Sequence, residues 1–160
     1  MHTEPQKEHR WLEKLVGEWT SEMEASMGPD APPMTSKGSE SVRSLGGLWT
    51  LGEGASEMPD GNPATMIMTL GYDPLKKRYV GTWIGSMMTH LWVYDGELDA
   101  SGNVLSLAAD GPSFTDPTKM AKYKDVIEFK NDDHRILTSH LLGDDGKWTQ
   151  FMTAHYRRKK

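Results

Sequence analysis

The chain predicts an all-β fold: an antiparallel up-and-down β-barrel of about ten strands with a short N-terminal helix near one mouth. Three observations carry this. Short segments rich in β-branched and aromatic residues recur along the chain, separated by clusters of Gly, Pro, Asn and Asp. No strand–helix–strand spacing follows Gly17, so sequential strands pair antiparallel. The composition is polar, at 36% hydrophobic and 26% charged, yet six Trp, five Tyr and three Phe supply the apolar surface of a core. A barrel reconciles the two, because alternate strand residues face water, and closure removes exposed edges. A two-sheet sandwich is the rival.

In order, Thr3-Glu4-Pro5-Gln6 predicts a helix start, with Thr3 as cap, Gln6 completing a capping box and Pro5 in the first turn. Trp11, Leu12, Leu15 and Val16 then form an apolar stripe that ends at Gly17. So short a helix needs a surface to dock on. Residues 1–16 are therefore expected to dock on a single barrel domain spanning 17–158, and His2 and His9 to be solvated. The expected strands are Glu18–Met27, Thr35–Leu45, Leu48–Glu57, Ala64–Tyr72, the two arms of Tyr79–Tyr94, Val104–Ala109, Ala121–Phe129, Ile136–Leu142 and Trp148–Tyr156. Turns fall at Gly28–Pro33, Met58–Pro63, Asp73–Lys77, Asp99–Gly102, Gly111–Lys119, Asn131–Asp133 and Gly143–Gly146. Gly52 and Gly54 mark bends that curl the sheet.

The stretch YVGTWIGSMMTHLWVY, Tyr79–Tyr94, is the centre of the functional argument. Gly85-Ser86 suits a type II′ turn, which sets residues i and 171 − i opposite each other. One face then carries Tyr79, Gly81 and Trp83 against Trp92, His90 and Met88. The candidate ligand-binding residues are accordingly Tyr79, Trp83, Met88, His90 and Trp92. Gly81 would leave room for a guest opposite His90, whose bland alternative is a core histidine with one satisfied hydrogen bond. Trp19, Trp49 and Trp148 are either core or cavity lining. Met66, Met68, Met87, Met88 and Met152 suit irregular guests or irregular cores. Arg43, Arg78 and Arg135 are the candidates for pairing with a carboxylate guest.

Other chemistries find little support. The formal charge of −5 argues against nucleic-acid binding. No cysteine is present, so disulfides, thiol catalysis and Cys-zinc sites are excluded. His90, His140 and His155 lack metal-ligand spacing, and no cofactor or metal is expected. No nucleophile elbow or phosphate loop occurs. The carboxylates considered lie mostly in turns. No apolar run approaches the roughly 20 residues that span a bilayer, and MHTEPQKEHR has no signal-like core, so a cytoplasmic protein without membrane partners is expected.

Gly17-Glu18-Trp19 after a short helix resembles the G-x-W opening of the calycin superfamily, which includes lipocalins and fatty-acid-binding proteins. LVGEWT (Leu15–Thr20), GYDPLKKRYVGTW (Gly71–Trp83) and DGKWTQFMTAHYRRK (Asp145–Lys159) resemble a bacterial family of lipocalin-like domains of unknown function. The resemblance implies an antiparallel barrel with its helix near one mouth, and no reaction. Nitrobindin-type barrels, which hold haem through a late-strand histidine, are a more distant analogue, and no motif match surrounds His140 or His155. The expectation is thus non-enzymatic binding of a small, largely apolar ligand in the barrel cavity. The alternatives are an enzyme on the same scaffold, a haem-type sensor using His140 or His155, and a homodimeric interaction module.

Overall fold

A computed structural model describes residues 3–26, 32–58 and 60–160. The ten strands are β1 (Gly17–Ala25), β2 (Met34–Leu45), β3 (Trp49–Glu57), β4 (Pro63–Asp73), β5 (Arg78–Gly85), β6 (Trp92–Leu98), β7 (Val104–Pro112), β8 (Met120–Asn131), β9 (His134–Leu142) and β10 (Trp148–Arg158). Each pairs antiparallel with its neighbours in sequence, and β1 also pairs with β10, so the sheet closes into a barrel. The barrel wins over the sandwich because this last ladder, Trp19↔Arg158 to Ala25↔Met152, leaves no free edge. His2, Met27, most of the Gly28–Pro33 turn and Pro59 lie outside the described residues.

Period-2 alternation decides the interior. Trp19 on β1, Leu70 on β4, Tyr79 on β5, Tyr94 on β6, Leu105 and Leu107 on β7, and Ile127 and Phe129 on β8 all point inward and are buried. Trp49 and Trp148 are 43% and 42% exposed, so they are neither core nor lining. Trp49 instead covers the outer side of Gly71, and the Trp148 ring lies 4.6 Å from the Lys124 ammonium.

Helix α1 (Lys7–Leu12) and a 3₁₀ turn at Glu13–Leu15 stop one end of the barrel. Trp11 meets Tyr79 and Phe129 edge-on at 6.0 and 5.6 Å, and its Nε1 donates to the Gly102 carbonyl at 2.6 Å. The start of the helix differs from expectation. Gln6 is extended and is the N-cap, so Thr3 does not cap. The Gln6 N–H donates to His9 Nδ1 at 2.9 Å, which makes His9 the reciprocal residue of the box. Nor is His9 solvated: it is 4% exposed, and with Nδ1 accepting, Nε2 is the donor to the Tyr72 carbonyl at 3.0 Å. Arg158 ties the plug to the end of β10, donating to the carbonyls of Val16 at 2.6 Å and Lys14 at 3.0 Å. Gly17, at φ +136°, leaves the room that the Arg158 guanidinium fills.

The β5–β6 register is corrected. Opposite residues sum to 175, as in Tyr79↔Gly96, Gly81↔Tyr94 and Trp83↔Trp92. Ser86 does not serve a two-residue turn. Its N–H donates to the Thr65 carbonyl at 2.9 Å and its Oγ accepts the Thr65 N–H at 3.0 Å, prolonging the β4–β5 ladder. The return is therefore a longer connection, residues 86–91. The shift of four residues is even, so Tyr79, Gly81, Trp83 and Trp92 keep a common face. The guest space beside Gly81 is absent, because Gly81 faces Tyr94 and the Leu70 side chain packs against it.

Candidate functional site

Of the five candidate residues, the structure separates Tyr79 from the rest. Its ring packs against Trp11, and its hydroxyl donates to the Glu8 carbonyl at 3.0 Å, so it belongs to the stopper. Burial and the neighbouring Glu8 and Tyr72 hold its phenol far above the usual range. Trp83 and Trp92 point inward toward the end opposite the helix, and both are only half-buried. Trp92 lies over Gly111 on β7, which has no Cβ to block it, and meets Tyr123 edge-on at 5.0 Å. Met88 and His90 lie on the connection above the two indoles. Met88 is 43% exposed, and its Sδ accepts from Trp92 Nε1 at 3.1 Å. His90 stands edge-on to Trp92 at 4.8 Å and bonds the Asp110 carbonyl at 2.9 Å. Phe114, Tyr123 and Phe151 continue the aromatic wall around this mouth.

Below that wall the lumen is polar. Asp125, inward on β8, accepts from the Tyr94 hydroxyl at 2.5 Å and from Ser139 Oγ at 2.6 Å. Its pKa is raised, because burial outweighs these two hydrogen bonds and the nearby His140. Tyr94 is held well above its ordinary value by burial and then by Asp125. A second cluster lies nearer the stopper. The Arg135 guanidinium pairs with Glu40 and is stacked between Tyr156, at 4.1 Å, and Trp19, at 4.6 Å. Arg135 is 4% exposed, and its Nε finds no partner. It borders a small void of about 20 Å³, also lined by Glu40, Thr50 and Gly52, which is room for one water.

Tyr156 joins the clusters. Its pKa is pushed up to about 12, by burial first and then by Glu40, with Arg135 opposing and Asp125 adding to the rise. The hydroxyl has no hydrogen bond within the described residues, although Tyr156 and Asp125 both retain accessible surface inside the barrel. At the end opposite the helix the interior thus has partly exposed aromatic and methionine walls over a floor of paired charges and phenols.

Several other expectations are settled by direction. His140 and His155 face outward. His155 Nδ1 is 3.0 Å from His134 Nε2 in a stacked pair, and His140 Nε2 bonds the Thr138 hydroxyl at 3.0 Å, so neither reaches into the lumen to hold haem. Among the described residues no group of three or more metal-ligating side chains occurs. Arg78 is held outside by Asp95 and Glu97 at 2.7 and 2.9 Å, and Arg43 is exposed. An open groove of about 510 Å³ also runs along the outside of β10, β1 and β2, bordered by the exposed Glu22, Glu24 and Lys37 together with His155. Its walls are solvated strand side chains. Asp125 and Glu40 escape a sequence reading that assigns carboxylates to turns. The available signal was phase: Asp125 stands two residues from both Tyr123 and Ile127, in the inward row.

Residues 4–158 match a family described as Protein of unknown function (DUF1579). No curated protein sequence matches. Among solved structures, Rv2717c from M. tuberculosis is similar at TM-score 0.62 and 13% identity, over 98% of this chain and 100% of that one. The S-type phycobiliprotein lyase CPES from Guillardia theta is similar at 0.58 and 14%, over 98% and 99%. EF1p2_mFAP2b, in a structure bound to DFHBI, is similar at 0.51 and 16%, over 94% and 98%. These likenesses are of fold.

Proposed function

The chain belongs to the DUF1579 family, described as of unknown function, and on its geometry we propose that it binds a small, largely apolar molecule in the half of the barrel opposite the helix. The observation that carries this is the state of the inward side chains. Toward the stopper, Trp19, Leu70 and Leu105 are at most 1% exposed, whereas Met68, Trp83 and Trp92 face the same interior and remain half-buried. Large apolar side chains left partly uncovered inside a concavity are what a guest would cover. Trp83, Trp92 and Met88 supply the wall, with His90 bracing Trp92 from above. The reading is binding without turnover: Ser139 donates to Asp125 and has no histidine base beside it. That one similar barrel is a protein bound to DFHBI supports the reading by analogy. A lipocalin-type carrier working in the cytoplasm is the biological setting we propose.

The test is titration of the purified protein with Nile red, a neutral apolar dye. One site is expected, and Trp92→Ala should weaken it by about tenfold, the scale of losing an aromatic anchor. Trp49→Ala, on the outer face, should leave it unchanged. No binding, or equal loss from both variants, would overturn the reading. A second reading, a homodimer, rests on Ile84, Leu91 and Val93, which are 45%, 53% and 59% exposed on or beside β5 and β6. Light scattering showing a dimer that Val93→Lys dissociates would favour it.

A further inference from the structure

We infer that the guest's polar end is a hydrogen-bond donor, neutral or cationic, and not a carboxylate; this rests on the lumen being the binding site. Resemblance to fatty-acid carriers, with an arginine inside the barrel, points the other way, so the charge inside has to be counted. Arg135 is the one buried Lys or Arg among the described residues. It is already neutralised by Glu40, and the Trp19 and Tyr156 rings lie 4.6 and 4.1 Å from its guanidinium. Its Nε is buried without a partner, and the small void that Arg135 borders holds about 20 Å³, too small for a carboxylate group. Asp125 then stands in the lumen as a second acid with no cation bonded to it.

The sum decides the sign. With Asp125 protonated, the floor is neutral; with Asp125 ionised, it carries one negative charge. In neither state is there an uncompensated positive charge to receive an anion, and burying an unpaired carboxylate beside Glu40 and Asp125 is strongly unfavourable. Acceptors, by contrast, are in surplus. Each oxygen of an ionised Asp125 receives one hydrogen bond, so each keeps a lone pair, and the Tyr156 hydroxyl, unengaged among the described residues, can accept as well as donate. An N–H or O–H head at the end of an apolar body would meet both.

The experiment is calorimetric titration at neutral pH with three ten-carbon probes that differ only in the head: decan-1-ol, decylamine and decanoate. The alcohol and the amine are expected to bind, with decanoate at least about tenfold weaker, the scale of 1.4 kcal/mol. Decanoate binding as tightly as the alcohol, or more tightly, overturns the inference while leaving the lumen site standing. If none of the three binds and Nile red does not either, the lumen site itself fails, and the inference falls with it. Glu40→Gln gives an independent arm. It frees the Arg135 guanidinium, so decanoate should gain about tenfold while decan-1-ol stays put. A Glu40→Gln protein that folds by circular dichroism yet shows no change in that ratio also counts against the inference.

Discussion

The two ends of the barrel are built from the same alternation but finished differently. At the stopped end, Trp11, Leu12, Tyr79 and Phe129 fill the interior, and the polar atoms of His9, Trp11 and Tyr79 each find a backbone carbonyl. At the open end, Trp83, Trp92 and Met88 leave surface uncovered, and acids lie below them. A ten-strand barrel has a lumen wider than side chains readily fill. Here the helix fills one half, and the other half is left for something else. The stopper is a device for stability and the mouth is a device for recognition, so variants at the two ends should fail in different ways.

The largest effect is expected at the stopper. Trp11→Ala removes a ring that touches Tyr79 and Phe129 and leaves a cavity at the barrel end. The cost should be about 3–5 kcal/mol in denaturant unfolding. Nile red affinity, measured on the folded fraction, should change little. A large loss of dye binding with little loss of stability would erase the division between the ends.

Next comes the charge pair beneath the lumen. Arg135→Leu leaves Glu40 buried without its partner and should cost about 3 kcal/mol. The double variant Arg135→Leu/Glu40→Leu should recover much of that, since a buried ion pair is costly to break but not to replace. If the double variant is as unstable as the single one, stacking of Arg135 on Trp19 and Tyr156 carries the stability, and the pair does not.

That pair also marks where sequence reading stops. Most strand positions came within a few residues because alternation and turn composition are local properties, but β6 runs Trp92–Leu98, past the expected end at Tyr94. The faces of β5 and β6 survived a four-residue register error because an even slip keeps side chains on their side. The register itself was not legible: Gly85-Ser86 has the look of a tight turn, and only the pairing of Ser86 with Thr65 across β4 reveals otherwise. His9 was missed because its burial depends on Tyr72, which is 63 positions away. Asp125, Glu40 and Arg135 lie in the inward phase of their strands, but charge argues for the outside unless a partner is known. The partners are on other strands, Glu40 being 95 positions from Arg135.

The smallest effect is the subtlest check on the open end, and it concerns Asp125. Burial raises its folded pKa above the ordinary aspartate value, which is about 3.9 in an unfolded chain. Below that value both states hold the proton, and the group costs nothing. As pH rises, the unfolded chain releases its proton first, so the folded state becomes relatively less stable until the pH passes the folded pKa. Asp125→Asn cannot titrate. The variant should therefore gain stability relative to the parent as pH rises from about 3.9, with a slope of at most one proton, and the difference should then level off. Tyr94 and Tyr156 titrate far above this window, and His140, whose pKa Asp125 raises, is replaced by Gln in both proteins. Unfolding free energies of the two proteins across pH 3.5–7 provide the comparison. A difference that stays flat, or slopes the other way, would mean that Asp125 is solvated, and that the open half of the barrel is wetter than its packing against Tyr94 and Ser139 implies.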